Sequence, residues 1–213
     1  MRIVDLTHMI YPGMPVFPGT EPPILDTANT VEKDGFLETK ITMYSHTGTH
    51  MDAPAHMLKD GVTIDKLPIE HFMGKAIVLN FENGNKSSIE LEDIRIYKDK
   101  IKNVDFVIIK TGWSKYWGQQ KYFEGFPSLT VEAAKWLSDF PLKGIGIDAI
   151  SIDDMNSTTF DVHKTLMEKN MLIIENLTNV DEIKEEYFML SVLPLKNIHA
   201  DGSPLRAVAI ENL

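Results

Sequence analysis

The chain contains no cysteine in its 213 residues. Disulfide bonds and thiolate ligands are therefore excluded, so any metal ion would have to be held by nitrogen and oxygen donors. Positive charge is also scarce, because 21 Lys and Arg residues stand against 31 Asp and Glu residues and give a formal net charge of -10. Nucleic-acid-binding surfaces usually carry a basic stripe, so we expect no nucleic-acid partner.

Long hydrophobic runs are missing as well. The N-terminal stretch MRIVDLTHMIYPG reaches Asp5, His8 and Pro12 before an apolar core of signal-peptide length can accumulate. No other run approaches the length of a membrane span, so we expect a cytoplasmic protein with no membrane partner. The hydrophobic share of 43% allows a sizeable core. Since no linker or repeat divides the chain, one domain over residues 1–213 is expected.

Short apolar runs rich in Val and Ile, bounded by turn formers, predict six buried strands. They occupy residues 75–81, 105–110, 144–150, 171–176, 187–193 and 205–211. The first sixty residues differ, because they are rich in proline and show few helical periods. That segment predicts strands and long functional loops.

Helical segments are predicted between the strands. One helix begins at a capping box formed by Ser87 and Glu90, and another follows Thr130 and stops before a proline. Shorter helices are predicted over residues 161–170 and 179–186. The alternation of strands and helices indicates the α/β class.

A cluster of histidines lies in the stretch SHTGTHMDAPAHM, residues 45–57. It holds His46, His50 and His56, three of the seven histidines of the chain, together with Asp52. Imidazole and carboxylate groups are donors that zinc and manganese accept. A glycine and a proline oppose a continuous helix, but residues two and four apart in an extended segment also point the same way. The spacing therefore favours metal binding over loop histidines that merely bond backbone carbonyls.

Two further candidate ligands lie downstream. His163 belongs to the short predicted helix DVHKTLMEKN, and Glu175 interrupts the otherwise apolar strand MLIIEN. A carboxylate in a buried strand is costly unless it is paired or coordinated. The alternative is that Glu175 lies at the end of the strand and faces solvent or an arginine such as Arg206. The residues by themselves leave both interpretations open.

Other residues in the C-terminal half invite a functional interpretation. Asp148 and Asp153 in GIGIDAISIDD favour a strand whose aspartates cap the following loop, rather than a carboxylate metal site. His199 is interpreted as a hydrogen-bonded structural histidine that could border a site through the DGSP turn. Trp113 and Trp117 lie in an aromatic-rich loop, for which packing into the core or a subunit interface is the favoured role.

The stretch HTGTHMDAPAH resembles the H-x-G-T-H-x-D-x-P-x-H signature of the cyclase-like metal-dependent hydrolases, the family of bacterial kynurenine formamidase (arylformamidase) and isatin hydrolase. Similarity to other family segments extends over nearly the whole chain, in VDLTHMIYPGMPVFPG, IKTGWSKYWG, IGIDAISID, ENLTNVDEI and DGSPLRAVAI. The resemblance implies a swivelling β/α/β-type fold of the α/β class, with a mixed central sheet or barrel and flanking helices.

The resemblance also implies a site for two divalent metal ions, zinc or manganese. In the family pattern, one ion is bound by His46, His50 and Asp52. Asp52 bridges to a second ion held by His163, and Glu175 bridges both ions. This assignment adds weight to the ligand interpretation of Glu175.

The implied reaction is hydrolysis of a carbon–nitrogen bond in a small aryl amide by metal-activated water, with N-formyl-kynurenine as the leading substrate. His56 would be the general acid and base, since its free pKa lies near operating pH. Two alternatives are the opening of a cyclic amide or a cyclisation or dehydration at the same site. A third, from another class, is a metal-binding protein without turnover.

Phe17 marks a departure from the formamidase pattern, which typically has a tryptophan in this opening motif. Phenylalanine still stacks on an aromatic ring but lacks the indole N–H group and some of its area. Phe17 is therefore the candidate substrate-binding residue. The resemblance further implies a homo-oligomer, either a homodimer or a homotetramer.

Overall fold

The fold is described by a computed structural model that covers residues 1–82 and 86–212 of the chain. The strands are β1 (Arg2–Asp5), β2 (Ile24–Asn29), β3 (Glu38–Thr42), β4 (His50–Asp52), β5 (Met73–Asn80), β6 (Ser88–Ile89), β7 (Phe106–Lys110), β8 (Ser128–Leu129), β9 (Gly144–Ile147), β10 (Leu172–Glu175), β11 (Phe188–Ser191), β12 (Gly202–Pro204) and β13 (Val208–Glu211). The α-helices are α1 (Val31–Asp34), α2 (Leu91–Arg95), α3 (Lys98–Ile101), α4 (Val131–Leu137) and α5 (Asp161–Met167). Single 3-10 turns cover Pro54–His56, Ile64–Lys66, Ile69–Phe72, Trp113–Tyr116, Gln120–Phe123 and Val180–Glu182.

Within the described ranges, nine strands form one mixed sheet in the order β1, β13, β11, β5, β7, β9, β10, β4, β12. The pairs β5–β7, β7–β9 and β9–β10 are parallel, whereas the outer pairs are antiparallel. Parallel neighbours need crossover connections, and these contain α2 and α3, then α4, then α5. The expected α/β fold with a mixed central sheet and flanking helices is confirmed.

The middle of this sheet is buried on both faces. Alternate residues of β7 enter two different apolar clusters, with Val107 and Ile109 in one and Phe106 and Ile108 in the other. The first cluster also contains helix residues such as Leu137, so the helices cover that face. Strands buried on both sides read as continuous apolar runs, which explains why the sequence pattern found them.

The six predicted strands all form, mostly with shorter bounds, and the helix that follows Thr130 is confirmed. The Thr130 side chain caps α4 by accepting a hydrogen bond from the backbone N–H of Ala133. The predicted capping box at Ser87 is wrong. Ser88 and Ile89 pair in parallel with β8, which keeps the chain extended up to Glu90. Glu90 is the true N-cap of α2.

The predicted helix over residues 179–186 is also wrong, because only the turn Val180–Glu182 forms. The backbone N–H groups of Lys184 and Glu185 donate to the Glu211 carboxylate instead of continuing a helix. The predicted helix over 161–170 forms as α5, which ends at Met167. No helix in residues 1–82 or 86–212 has the length and apolarity needed to cross a membrane.

Candidate active site

Strand β4 carries two of the candidate ligands on one face. His50 and Asp52 are two residues apart, so their side chains point the same way, whereas Met51 between them is buried in the core. In the antiparallel pairing of β4 with β10, Glu175 lies directly opposite His50. Side chains opposite each other in such a pair share a face. The sheet therefore brings an imidazole and two carboxylates together at one point.

The Asp52 carboxylate lies at the centre of this cluster and is 1% exposed. Its Oδ1 atom is 2.6 Å from His46 Nδ1 and 3.2 Å from His50 Nε2. Its Oδ2 atom faces the other way and is 3.5 Å from His163 Nε2. Burial by itself would raise the pKa of Asp52, but the charge of His50 and hydrogen bonds to the three histidines hold that pKa well below its usual value.

Glu175 is buried beside the same histidines. Its Oε1 atom accepts a hydrogen bond from the Ile152 N–H at 2.9 Å and lies 3.3 Å from His163 Nε2. Its Oε2 atom lies 3.7 Å from His50 Nε2. The alternative in which Glu175 faces Arg206 does not hold, because the Arg206 guanidinium pairs with Asp5 at 2.6 Å.

The His50 ring is held from behind by a chain of buried hydrogen bonds. Its Nδ1–H group donates to the Gly48 carbonyl at 2.8 Å, and Asn176 Nδ2 donates to the same oxygen at 3.0 Å. The hydroxyl of Tyr122 in turn donates to Asn176 Oδ1 at 2.7 Å. Gly48 has a φ of +66°, in the left-handed region that favours glycine. With Nδ1 used in this way, Nε2 is the His50 nitrogen that faces Asp52.

The His163 ring is oriented by Asp153. The Asp153 carboxylate caps the start of α5 by accepting from the backbone N–H groups of Val162 and His163, and its Oδ2 lies 2.5 Å from His163 Nδ1. Burial would lower the pKa of His163, but the Asp153, Asp52 and Glu175 carboxylates raise it well above its usual value. The inner nitrogen of this ring, Nε2, faces the cluster.

His46 lies between two carboxylates. Its Nδ1 atom faces Asp52, and its Nε2 atom lies 3.0 Å from Asp201 Oδ2. Burial would lower the pKa of His46, but these two neighbours raise it to about 9. All three imidazoles thus have one nitrogen directed at Asp52 and the other bonded outward. Histidine ligands of metals usually show this arrangement, so the residues fit a metal site.

His56 lies beside the cluster on the 3-10 turn Pro54–His56, and its ring centroid is 3.8 Å from that of His46. Its Nδ1 atom is 3.6 Å from Asp201 Oδ2, which is beyond hydrogen-bond distance. Burial lowers the pKa of His56, and the charges of His46 and His163 lower it further, although the charges of Asp52 and Asp201 act in the opposite direction. His56 is therefore close to the cluster without being held by its carboxylates.

A cavity of about 440 Å³ opens onto the cluster. Its apolar wall is formed by Pro15, Val16, Phe17, Met57, Ile150 and Phe160. The aromatic loop does not form this wall. Trp113 and Trp117 pack against the core, and Trp117 stacks on His8 with ring centroids 3.8 Å apart. The structure thus brings every residue predicted for the site, including Phe17, to one cavity.

Three residues around the site are not identified by the sequence patterns. They are Asp153, which is predicted only as a loop cap, Asp201 in the DGSP turn, and Asn176, which follows β10. His199, predicted as a structural histidine near that turn, is exposed, and its backbone N–H donates to Asp65. No local pattern signals such partners, because Asp201 and His46 are 155 positions apart in the chain.

The similarity to known proteins agrees with this fold. The family described as putative cyclase matches residues 4–154. A kynurenine formamidase of Erythrobacter litoralis is 30% identical over 211 residues, which cover 99% of this chain and 94% of the relative. Isatin hydrolase A from Labrenzia aggregata aligns with a TM-score of 0.90 and 27% identity, over 99% of this chain and 94% of that chain. A potential metal-dependent hydrolase with cyclase activity aligns with a TM-score of 0.79 and 30% identity, over 98% and 96% of the two chains.

The kynurenine formamidase and isatin hydrolase A, each aligned over 99% of this chain, are hydrolases. Together with the α/β fold and the buried cluster of histidines and carboxylates, this similarity identifies the chain as a hydrolytic enzyme. The chain belongs to the cyclase family.

Proposed function

We propose that this protein is a metal-dependent amidohydrolase that cleaves the carbon–nitrogen bond of a small aryl substrate, with N-formyl-kynurenine as the leading candidate. The central observation is the placement of Asp52, whose two carboxylate oxygens face different histidines. A buried carboxylate shared in this way is suited to bridge two cations. The similarity to a kynurenine formamidase over the full chain supports the choice of substrate.

Two overlapping donor sets would hold the ions. One consists of His46, His50 and Asp52, and the other of Asp52, His163 and Glu175, with the ligand atoms of each set within 4.8 Å of one another. A third group with the same spacing, His46, His56 and Asp201, is only partly buried, so we assign His56 and Asp201 to roles around the ions. Nitrogen and oxygen donors of this kind accept zinc or manganese, and cellular supply often decides between the two. When bound, such ions act as Lewis acids that polarise a carbonyl group and lower the pKa of water.

His56 would move the proton. Its imidazole lies next to His46 on the cavity side and is not engaged by the carboxylate nearest to it. It is thus free to take a proton from the attacking water and to deliver it to the nitrogen that leaves when the carbon–nitrogen bond breaks. General acid–base catalysis of this kind typically contributes about 10²- to 10⁴-fold to the rate.

The cavity supports an aryl substrate. The side chains of Phe17, Phe160 and Ile150 present apolar surface beside the charged cluster. Such a wall would hold an aromatic ring and exclude bulk water, while the polar end of the substrate reaches the histidines. Asn176 also lines the cavity, where its side-chain amide is held by Gly48 and Tyr122.

A second candidate reaction is the hydrolysis of a cyclic aryl amide. It is favoured by Phe17, which replaces the tryptophan of formamidases, and by the similarity to isatin hydrolase A. Both reactions break an amide bond and need the same proton transfer by His56. They differ in that only the first releases formate.

The decisive experiment combines metal content with product analysis. Protein purified without chelator would be measured by plasma emission, and formate release from N-formyl-kynurenine would be assayed before and after stripping of metal. About two ions per chain with metal-dependent formate release would support the leading proposal. Metal without formate release, but with opening of isatin, would support the second reaction. Metal without turnover of any amide would favour a binding protein.

We also propose a homo-oligomer, a homodimer or homotetramer, assembled through the hairpin of β2 and β3. Neither strand has a buried residue, and Phe36 and Leu37, which lie between α1 and β3, are 52% and 68% exposed. Isolated hairpins are marginally stable in water, so a second copy covering this one would stabilise it. Light scattering should therefore give a particle mass at least twice that of one chain. The substitution Leu37→Asp should lower this mass. Ile198→Asp, at another exposed apolar residue, is the matched control.

A further inference from the structure

We propose that Asp201 is a positioning residue for His46, whose carboxylate fixes the imidazole so that Nδ1 faces Asp52. This inference rests on the proposed metal site, to which His46 contributes a ligand. It assigns a role to a residue that lies 155 positions after His46 in the chain, outside the histidine motif of residues 45–57.

The geometry that carries the inference is the contact between Asp201 Oδ2 and His46 Nε2 at 3.0 Å. A carboxylate can only accept a hydrogen bond, so Nε2 carries a proton in this contact. When an ion is bound, Nδ1 would give up the proton that it directs at Asp52 Oδ1, and Nε2–H would keep its hydrogen bond to Asp201. His50 and His163 are oriented in the same way, through Gly48 and Asp153. Asp201 therefore completes a set in which every inner histidine has an outward partner.

A hydrogen bond and strand pairing hold the backbone around Asp201 next to the site. The Ala53 N–H donates to the Asp201 carbonyl at 2.8 Å, and Gly202 pairs with Asp52 across β12 and β4. A Cβ atom on Gly202 would lie 2.4 Å from Cε1 of His46, so the ring packs directly on the glycine backbone. The dipeptide Asp201–Gly202 thus forms both the wall against which the His46 ring rests and the acceptor that sets its rotation.

Asp201 could form a donor group for a metal ion with His46 and His56, but it is better suited to positioning His46 than to binding an ion. The His46 ring stands between Asp201 and Asp52, with one nitrogen directed at each carboxylate. The Asp201 side chain is 46% exposed, whereas that of Asp52 is 1% exposed. A carboxylate at the open side of the ring can orient it without joining the buried cluster.

The test is a metal titration of the full chain. Metal-free wild type, Asp201→Ala and Asp201→Asn would be titrated with Zn²⁺ in competition with a chromophoric chelator. We expect Asp201→Ala to weaken binding of one ion by about 10- to 100-fold, the usual effect of losing an outer partner of a histidine ligand. Asp201→Asn should lose less Zn²⁺ affinity, because its amide oxygen still accepts the hydrogen bond from His46 Nε2–H. Asp139→Asn, at an exposed aspartate after α4, is the matched control.

Two further measurements separate positioning from other roles. The melting temperature of the metal-free variants should stay near that of wild type, because the hydrogen bond lies at the open side of the site. In a His46→Ala background, Asp201→Asn should cause no additional loss of Zn²⁺ affinity.

Unchanged Zn²⁺ affinity in both Asp201 variants would overturn the inference. So would an additional loss of similar size in the His46→Ala background, because Asp201 would then act independently of His46. A wild-type chain that binds neither Zn²⁺ nor Mn²⁺ would instead overturn the proposed function, and the inference with it.

Discussion

Glu175 lies opposite His50 across the β10–β4 pair, with its Oε2 atom 3.7 Å from His50 Nε2 and its Oε1 atom 3.3 Å from His163 Nε2. A strand residue thus reaches one histidine on the neighbouring strand and another on α5. This single relationship joins the histidine motif to the C-terminal half of the chain. It also explains why a carboxylate interrupts an apolar strand.

Replacement of Asp52 by asparagine should remove both ions. The variant keeps the size of the side chain but loses the negative charge that both donor sets share. Plasma emission should show a metal occupancy close to zero for Asp52→Asn. The control Asp99→Asn, at a side chain that is 94% exposed, should keep wild-type metal occupancy. Full occupancy in Asp52→Asn would refute the bridging role.

Replacement of His56 by alanine should reduce kcat by about 10²- to 10⁴-fold while metal content stays close to wild type. The reason is that the imidazole lies beside His46 and belongs to neither of the two donor sets that share Asp52. Steady-state kinetics and plasma emission on the same preparation check this. Simultaneous loss of metal and activity would make His56 a ligand. His71→Ala, on the turn Ile69–Phe72 outside the cavity, is the matched control.

Replacement of Phe17 by tryptophan should shift substrate preference toward N-formyl-kynurenine. The larger indole would fill part of the cavity and add an N–H donor to its apolar wall. We expect the ratio of kcat/KM for N-formyl-kynurenine to that for isatin to rise several-fold, on the scale of about 1 kcal/mol. An unchanged ratio would remove Phe17 from the residues that decide specificity.

Replacement of Tyr122 by phenylalanine should destabilise the fold by about 1 to 3 kcal/mol, because it removes a buried hydrogen bond to Asn176. Asn176 in turn supports the Gly48 carbonyl that orients His50. The loss of stability in Tyr122→Phe is measured as the free energy of unfolding in urea. Tyr11→Phe, at a residue that is 37% exposed, should stay near wild type. Equal stability of the two variants would contradict this account.

Glu211 should make stability depend on pH. Burial raises its pKa, but hydrogen bonds from the N–H groups of Glu185 and Lys184 and from Arg2 outweigh burial and hold the pKa below the ordinary value of 4.5. A carboxyl group with a lowered folded-state pKa contributes stability that is present above the unfolded-state pKa. That stability is lost as the pH falls through the folded-state pKa.

Glu211→Gln should therefore be less stable than wild type by about 1 to 3 kcal/mol at pH 7, and the difference should shrink below about pH 4.5. Urea unfolding at both pH values measures it. Glu38→Gln, on the exposed strand β3, is the control. A difference that does not change with pH would show that shape, rather than charge, accounts for the effect of the substitution.

Local patterns of apolar residues in the sequence predicted much of the fold. The runs that became β5, β7 and β9 are apolar at every buried strand position, and β10 departs from this pattern only at Glu175. Strands that are buried on both faces require apolar residues at successive positions, which makes them easy to predict. The errors fell where tertiary contacts compete with local signals. The helix predicted over residues 179–186 fails because the Glu211 carboxylate takes the N–H groups that a helix would need.

The sequence by itself determined which donor groups the site offers. The absence of cysteine left nitrogen and oxygen donors. Alternation along an extended segment is a local property, so the spacing of His50 and Asp52 placed them on one face, whereas His46 reaches them from the turn before β4. The tertiary structure alone decided which distant groups join them. Pairing of β10 with β4 placed Glu175, and packing of α5 and the β12 turn placed Asp153 and Asp201 behind their histidines. Such partners are set by long-range packing, which leaves no periodic signal in the chain.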